Sequence, residues 1–173
     1  MEVTIDAVTK ENINDYIAVG KQSYKEHYLH LWQNNDPTPF IDAYLKKEPI
    51  LKALKDPKQL FYLIKAGTSN VGILNLTFDV EQEKNIPKRN LLLNKIYLLK
   101  SYSGMGIGSK TLEFVYDLGK KYQKKVLWLY AMKKGRPLNF YKNHGFDVLK
   151  EAFIHLPHVL DEEKEMWLMV KKL

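Results

Sequence analysis

The sequence predicts an α/β domain built on a mixed central sheet with helices on both faces. Three observations predict it. Strand-like alternation and helix-like periodicity take turns along the chain. A glycine-dense turn, Ser103-Gly104-Met105-Gly106-Ile107-Gly108, joins an apolar run to an amphipathic one, as a strand-to-helix connection does. The 173 residues contain no repeat, low-complexity tract or linker, so residues 1–173 read as a single domain long enough to bury a substantial core.

The elements follow in order. Val3, Ile5 and Ala7 alternate with polar neighbours and mark a first strand. Thr9 stands where a cap would open a helix over Glu11–Trp32, with Ile13, Tyr16, Ile17, Tyr24, Tyr28 and Leu31 apolar. Thr38-Pro39 and Glu48-Pro49 put proline where the first turn of a helix accepts it, so two short helices follow. Leu60–Ala66 and Val71–Val80 read as strands joined by Gly67-Thr68-Ser69-Asn70, and Leu91–Leu99 is a third such run. The helix over Ser109–Tyr122 carries Leu112, Val115, Leu118 and Tyr122 on one face. Val126–Ala131 is a strand, and a helix over Pro137–Asn143 ends before Gly145. Phe146–Leu156 and Met166–Val170 close the chain as two strands.

Composition narrows the function classes. There is no cysteine, which excludes disulfides, thiolate metal sites and a cysteine nucleophile. No apolar run approaches membrane-spanning length, and the N-terminus lacks a signal-peptide pattern, so no membrane partner and a cytoplasmic location are expected. His27-x-x-His30 has no partner ligands nearby, and no metal is expected. The net charge of +7 is uneven. Residues 100–142 hold ten Lys or Arg against Glu113 and Asp117, a balance of +8 that leaves −1 for the rest of the chain. These lysines lack a recognised nucleic-acid module, so no nucleic-acid partner is expected.

The glycine turn carries the chemistry. Glycines at 104, 106 and 108 remove Cβ atoms from one short segment that ends at a helix N-terminus. Backbone N–H groups there can point at an anion, and the helix dipole favours negative charge. A plain turn without a ligand fits the same glycines. A Walker A loop is excluded, because Ser109 separates Gly108 from Lys110. A dinucleotide fingerprint needs a carboxylate about 20 residues on, where this chain has Leu127-Trp128-Leu129-Tyr130.

The run Leu98-Leu99-Lys100-Ser101-Tyr102-Ser103-Gly104-Met105-Gly106-Ile107-Gly108 resembles the acetyl-CoA loop of the GNAT family of N-acetyltransferases, whose core is [Q/R]-x-x-G-x-[G/A]. Asn139-Phe140-Tyr141-Lys142-Asn143-His144-Gly145-Phe146 is similar to that family's second signature, an F-Y-x-x-x-G-F run. The two occur in the family's order, with a helix and a strand between them.

The resemblance implies a mostly antiparallel GNAT-like acyl-CoA N-acyltransferase fold with acetyl-CoA as cosubstrate. It implies direct attack of an amine on the thioester. The backbone of Ile96, Tyr97 and Leu98 would pair with the pantetheine arm. Gly104, Met105, Gly106, Ile107, Gly108 and Ser109 would cradle the pyrophosphate. The basic segment would attract the phosphates, although Lys120–Lys125 fit a solvated face better. Tyr141 would serve the departing thiolate as proton donor. The resemblance leaves a homodimer open.

The departures matter. The first position of the cradle is Ser103 in place of Arg or Gln. The family's cofactor-binding Asn, seven residues before the tyrosine, is Lys134, with Asn139 near by in another register. The strand glutamate that works as general base aligns with Leu92. A histidine is the natural substitute. His155 is the candidate, expected on a late strand; His144 is expected to face solvent.

The acceptor is expected to be a primary amine. The tail Phe153-Ile154-His155-Leu156, Leu160-Asp161 and Trp167-Leu168-Met169 resembles the end of bacterial polyamine (spermidine/spermine) N-acetyltransferases, as does Phe61-Tyr62-Leu63-Ile64 after Asp56-Pro57. Glu26, Asp79, Glu81, Glu83, Asp161, Glu162 and Glu163 could receive a polycation. A protein N-terminus or an aminoglycoside is an alternative acceptor, and a catalytically weak CoA-binding module is an alternative function.

Overall fold

The computed structural model describes residues 2–173. Seven strands form one sheet in the order β1-β2-β3-β4-β5-β7-β6. They are β1 (Val3–Ala7), β2 (Gln59–Ala66), β3 (Ser69–Phe78), β4 (Asn90–Leu98), β5 (Val126–Met132), β6 (Asp147–Phe153) and β7 (Glu165–Lys172). Every pair is antiparallel except β4 with β5. The helices are α1 (Ile13–Tyr28), α2 (Thr38–Tyr44), α3 (Lys47–Ala53), α4 (Ile107–Lys121) and α5 (Pro137–Asn143).

Alternation along the central strands divides the core into two layers. Ile64, Leu74 and Leu76 meet Ile107, Leu112 and Val115 of α4 and Tyr141 of α5. Their neighbours Leu63 and Ile73 meet Ile13, Tyr16 and Tyr24 of α1, Phe40 of α2 and Ile50 of α3. In the second layer Tyr24 stacks on Phe40 at 3.9 Å between ring centroids.

One pairing feature shapes everything downstream. The parallel pair β4–β5 holds register only from Asn90↔Val126 to Leu93↔Leu129, although β4 runs on to Leu98 and β5 to Met132. The strands part beyond that point. The register with β3 also shifts there, from Leu76↔Leu93 to Asn75↔Lys95. Asn94 therefore stands opposite no residue, which is a β-bulge that bends the strand and re-aims the side chains after it.

Three expectations are corrected. Thr9 does not cap α1. Its hydroxyl accepts from Glu11 N–H at 3.2 Å, while Asn12 Oδ1 accepts from Thr9 N–H at 2.7 Å and the helix starts at Ile13. The first helix stops short of Trp32, because a 3₁₀ turn over Leu29–Leu31 leads into extended backbone at Trp32, which pairs with Val159. The strand expected over Phe146–Leu156 covers Asp147–Phe153. Its partner β7 begins opposite Phe153, at Glu165, so the residues beyond have no strand to pair with in the ladder.

Candidate active site

The glycine turn adopts the conformation its sequence permits. Gly104 and Gly106 both have φ +78°, a left-handed backbone that a side chain disfavours. Lys110 N–H, bonded to the Gly106 carbonyl at 3.1 Å, is the first bond of α4. Among the described residues, the N–H groups of Gly104 through Ser109 find no acceptor. Six backbone donors are thus left unpaired in the turn and the first turn of α4, at the positive end of a helix. Gly108 serves packing. A Cβ there would lie 3.2 Å from the Phe140 ring, so α4 and α5 touch at this glycine. Ile107 is buried and pins the turn to the core, while Met105 is exposed.

His144 is not solvent-facing. Its Nδ1 lies 2.8 Å from the Phe140 carbonyl and its Nε2 lies 2.9 Å from Ser109 Oγ. The edge of the cleft is held from the other side by α1. A ring nitrogen of His27 donates to the Leu98 carbonyl at 2.9 Å, and Glu26 Oε2 accepts from Lys100 N–H at 2.6 Å. That backbone donor holds the Glu26 carboxyl below the usual carboxylate range. One of the polar groups expected for a pantetheine arm, the Leu98 carbonyl, is therefore already engaged.

Where β4 and β5 separate, a cavity of about 480 Å³ opens. Ile96 and Tyr97 of β4, Tyr130 and Met132 of β5, Tyr141 of α5, and Ile154, His155 and Leu156 after β6 line it. Tyr24, Tyr28, Trp32, Phe40 and Tyr44 from α1, α2 and their connection form the opposite wall. Tyr97 joins that wall, 5.6 Å from Tyr24 and 5.4 Å from Tyr28 between ring centroids.

Tyr141 is buried and its side chain lines the cavity. Burial pushes its phenol far above the usual value, so the proton stays on the oxygen throughout the working pH range. His155 lies on the connection after β6, exposed at the cavity wall and not on a strand.

The remaining predicted residues fall elsewhere. Lys134 is exposed and pairs with Glu163 at 2.9 Å. Asn139 is exposed on α5 and does not line the cavity. Leu92 packs beside Trp128 and Leu168, so its position offers no base. The basic segment is split by α4, because Lys120 and Lys121 stand at the far end of the helix, about 20 Å from the cradle at 1.5 Å per residue. Lys124 and Lys133 are tied up with Asp79 and Glu151 at 2.6 Å each. The acids considered for a polycation do not converge. Glu83 bonds Lys150 and Tyr130, Asp161 bonds Lys164, and no Asp or Glu lines the cavity. Among the described residues, no cluster of three or more His, Asp or Glu is arranged to hold a metal ion.

One cavity residue escaped the sequence reading. Lys95 projects into the aromatic wall after the Asn94 bulge, with Nζ 4.4 Å from the Tyr44 ring centroid. Its signal was a lysine interrupting the apolar run Leu91–Leu99.

The chain is similar to known proteins along most of its length. The sequence model of the acetyltransferase (GNAT) family matches residues 20–146. An uncharacterized N-acetyltransferase in the pepI 3′ region of Lactobacillus delbrueckii subsp. lactis is 24% identical over 171 residues, 98% of this chain and 96% of that protein. The PaiA N-acetyltransferase of Thermoplasma acidophilum, solved in complex with coenzyme A, superposes with TM-score 0.78 at 20% identity over 100% of both chains. An acetyltransferase of the GNAT family from Streptococcus pneumoniae gives TM-score 0.73 at 20% identity, covering 99% of this chain and 100% of that one.

Proposed function

The chain belongs to the GNAT family of acetyltransferases and is an acetyl-CoA-dependent N-acetyltransferase, and on that premise we propose that it moves the acetyl group directly onto a primary amine of a small molecule held in the aromatic cavity. One observation carries this reading: six unpaired N–H donors in the glycine turn and the first turn of α4 lie on a segment that touches α5, the helix of Tyr141, at Gly108 and Phe140, beside the opening between β4 and β5. The fit to the cosubstrate rests on those donors, since an anionic diphosphate satisfies N–H groups that the protein leaves unpaired.

Acetyl-CoA supplies the acetyl group as an activated thioester. Gly104–Ser109 bind its phosphates through backbone N–H groups, with Lys110 adding charge. The unpaired edge of β4 at Ile96 and Tyr97 orients the pantetheine arm along the cleft. The incoming ammonium first gives up one proton, because only the neutral amine has a lone pair to donate. The nitrogen then bonds to the acetyl carbon while the carbon–sulfur bond breaks. The nitrogen sheds a second proton, and the sulfur ends protonated. Tyr141 steadies the sulfur by donating a hydrogen bond from Oη, where burial keeps the proton in place. His155, at the cavity wall, takes the amine proton directly or through water.

The tail's likeness to polyamine acetyltransferases gives a polyamine as one narrower acceptor. The acids that would receive it are bonded elsewhere or exposed away from the cavity, which argues against that narrowing. A thiol-release assay over a panel of amines, run beside calorimetric titration with acetyl-CoA, tests the reading. Binding with turnover supports it, and His155→Ala then lowers the rate without loosening acetyl-CoA. Binding without turnover for any amine makes the protein a CoA-binding module instead.

A further inference from the structure

Lys95 is a cation without a counter-ion. The Asn94 bulge turns it onto the face that α1 and α2 cover. Its Nζ lies 4.4 Å from the Tyr44 ring centroid, 6.0 Å from that of Phe40 and 3.4 Å from Asn75 Oδ1. Among the described residues, no carboxylate comes within ion-pair distance of it. Among the described residues, no Asp or Glu lines the cavity it enters. Aromatic faces offset only part of the cost of taking an ammonium out of water, so an anion is the missing complement.

We propose that Lys95 anchors a carboxylate on the acceptor, so that the substrate is an amine with an aromatic or other apolar body and an acid group. The proposal rests on the cavity being the acceptor site of the acetyltransferase reading. It assigns the two wall chemistries to the two parts of one molecule: the rings of Tyr24, Tyr28, Phe40 and Tyr97 pack the body, and Lys95 pairs with the acid. It also explains why a polycation is a poor fit, since every added ammonium would meet a like charge with no carboxylate to neutralise it. The same charge assists the chemistry. A cation near the reacting amine favours its neutral form, which is the nucleophile, and so eases the demand for a strong base where the strand offers Leu92. Desolvation pulls the Lys95 ammonium down to about 8, so it is charged in most molecules at neutral pH and able to pair.

The test uses the CoA-saturated protein and two matched probes, N-acetyl-L-phenylalanine and N-acetylphenethylamine, which differ by the carboxylate alone. In calorimetric titration the acid is expected to bind wild type at least tenfold more tightly than its neutral twin. Lys95→Met should erase that margin while leaving the neutral twin's affinity in place, and Lys95→Arg should keep it. Equal binding of the twins, equal loss of both in Lys95→Met, or binding of neither overturns the anchor. Turnover with acetyl-CoA is measured in parallel on L-phenylalanine, phenethylamine and spermidine. A carboxylate margin in binding with no amine acetylated leaves the anchor standing and removes the acetyl-transfer reading. Acetylation in which spermidine outpaces L-phenylalanine leaves acetyl transfer standing and removes the anchor.

Discussion

Ser109 Oγ and His144 Nε2 lie 2.9 Å apart, joining the first turn of α4 to the end of α5. The direction of the bond follows from the other ring nitrogen. The Phe140 carbonyl, 2.8 Å from Nδ1, can only accept, so Nδ1 carries the hydrogen and a neutral ring accepts from the Ser109 hydroxyl at Nε2. The glycine turn proposed to bind phosphate is thereby latched to the helix that carries Tyr141. Either His144→Ala or Ser109→Ala should weaken acetyl-CoA binding by about 1 kcal/mol, the usual net worth of one hydrogen bond. The double variant should lose no more than the larger single loss, because both remove one link. A double-mutant cycle on the acetyl-CoA Kd checks this, and additive losses would show two independent contacts.

Gly106→Val should weaken acetyl-CoA binding at least tenfold, about 1.4 kcal/mol. The protein leaves open space around a Cβ at this position, so crowding by neighbouring residues is not the cause. The cause is the positive φ, which a branched residue resists, together with a side chain standing where the ligand must approach the N–H groups. Calorimetry on a variant with unaltered circular dichroism is the measurement, and undiminished affinity would remove the cradle assignment.

Tyr141→Phe keeps the ring and deletes the donor. Turnover should fall by about 10²–10⁴, the range for a lost general acid or its hydrogen-bonding equivalent. Acetyl-CoA affinity should stay within about twofold, well under the tenfold that 1.4 kcal/mol represents. The raised phenol sets a second condition. No descending limb in the pH–rate profile below about pH 10, the ordinary tyrosine value, should be traceable to Tyr141. A wild-type limb that vanishes in Tyr141→Phe would contradict this.

Lys95→Met should stabilise the fold while harming acceptor binding. Below about pH 8 the folded wild type holds a desolvated ammonium, whereas the unfolded chain holds a hydrated one with the ordinary lysine value of 10.5. The folded state therefore binds fewer protons between those two values, and wild-type stability gains as pH rises through that window. The variant's advantage should be largest at or below neutral pH, about 1 kcal/mol or more, and should shrink toward pH 10.5. Urea denaturation at several pH values reads the difference directly. A difference that stays flat with pH would show that Lys95 is well hydrated.

Much of this arrangement was legible in the residue order. The alternation of Val3–Ala7 and the proline-led starts of α2 and α3 are local signals, and the helix over Pro137–Asn143 matches residue for residue. The glycine turn was readable because positive φ leaves a mark in composition. What escaped depends on partners far away in sequence. Helix α1 stops early because Trp32 pairs with Val159, and β6 stops because β7 begins opposite Phe153. His144 looked solvent-facing until Ser109, on another helix, gave it a partner. Lys95 was one lysine among many, and the bulge at Asn94 that aims it leaves no mark in the pattern of β4.

The bridge between Trp32 and Val159 has a consequence for how acceptor choice can change. Around it, Leu160 N–H bonds the Leu31 carbonyl at 2.8 Å and Gln33 N–H bonds the His158 carbonyl at 2.9 Å. The connection after β6, which brings His155 to the cavity, is thus stitched to the connection after α1, which leads into Phe40 and Tyr44. With the cavity read as the proposed acceptor site, specificity is written in two places about 120 residues apart that must agree in backbone before their side chains can agree in shape. Transplanting either stretch alone from a relative with another acceptor would put both of these main-chain hydrogen bonds at risk and misfit the half left behind. A new preference would have to arise by exchanging the two stretches together, or by single side-chain replacements that leave the stitching intact.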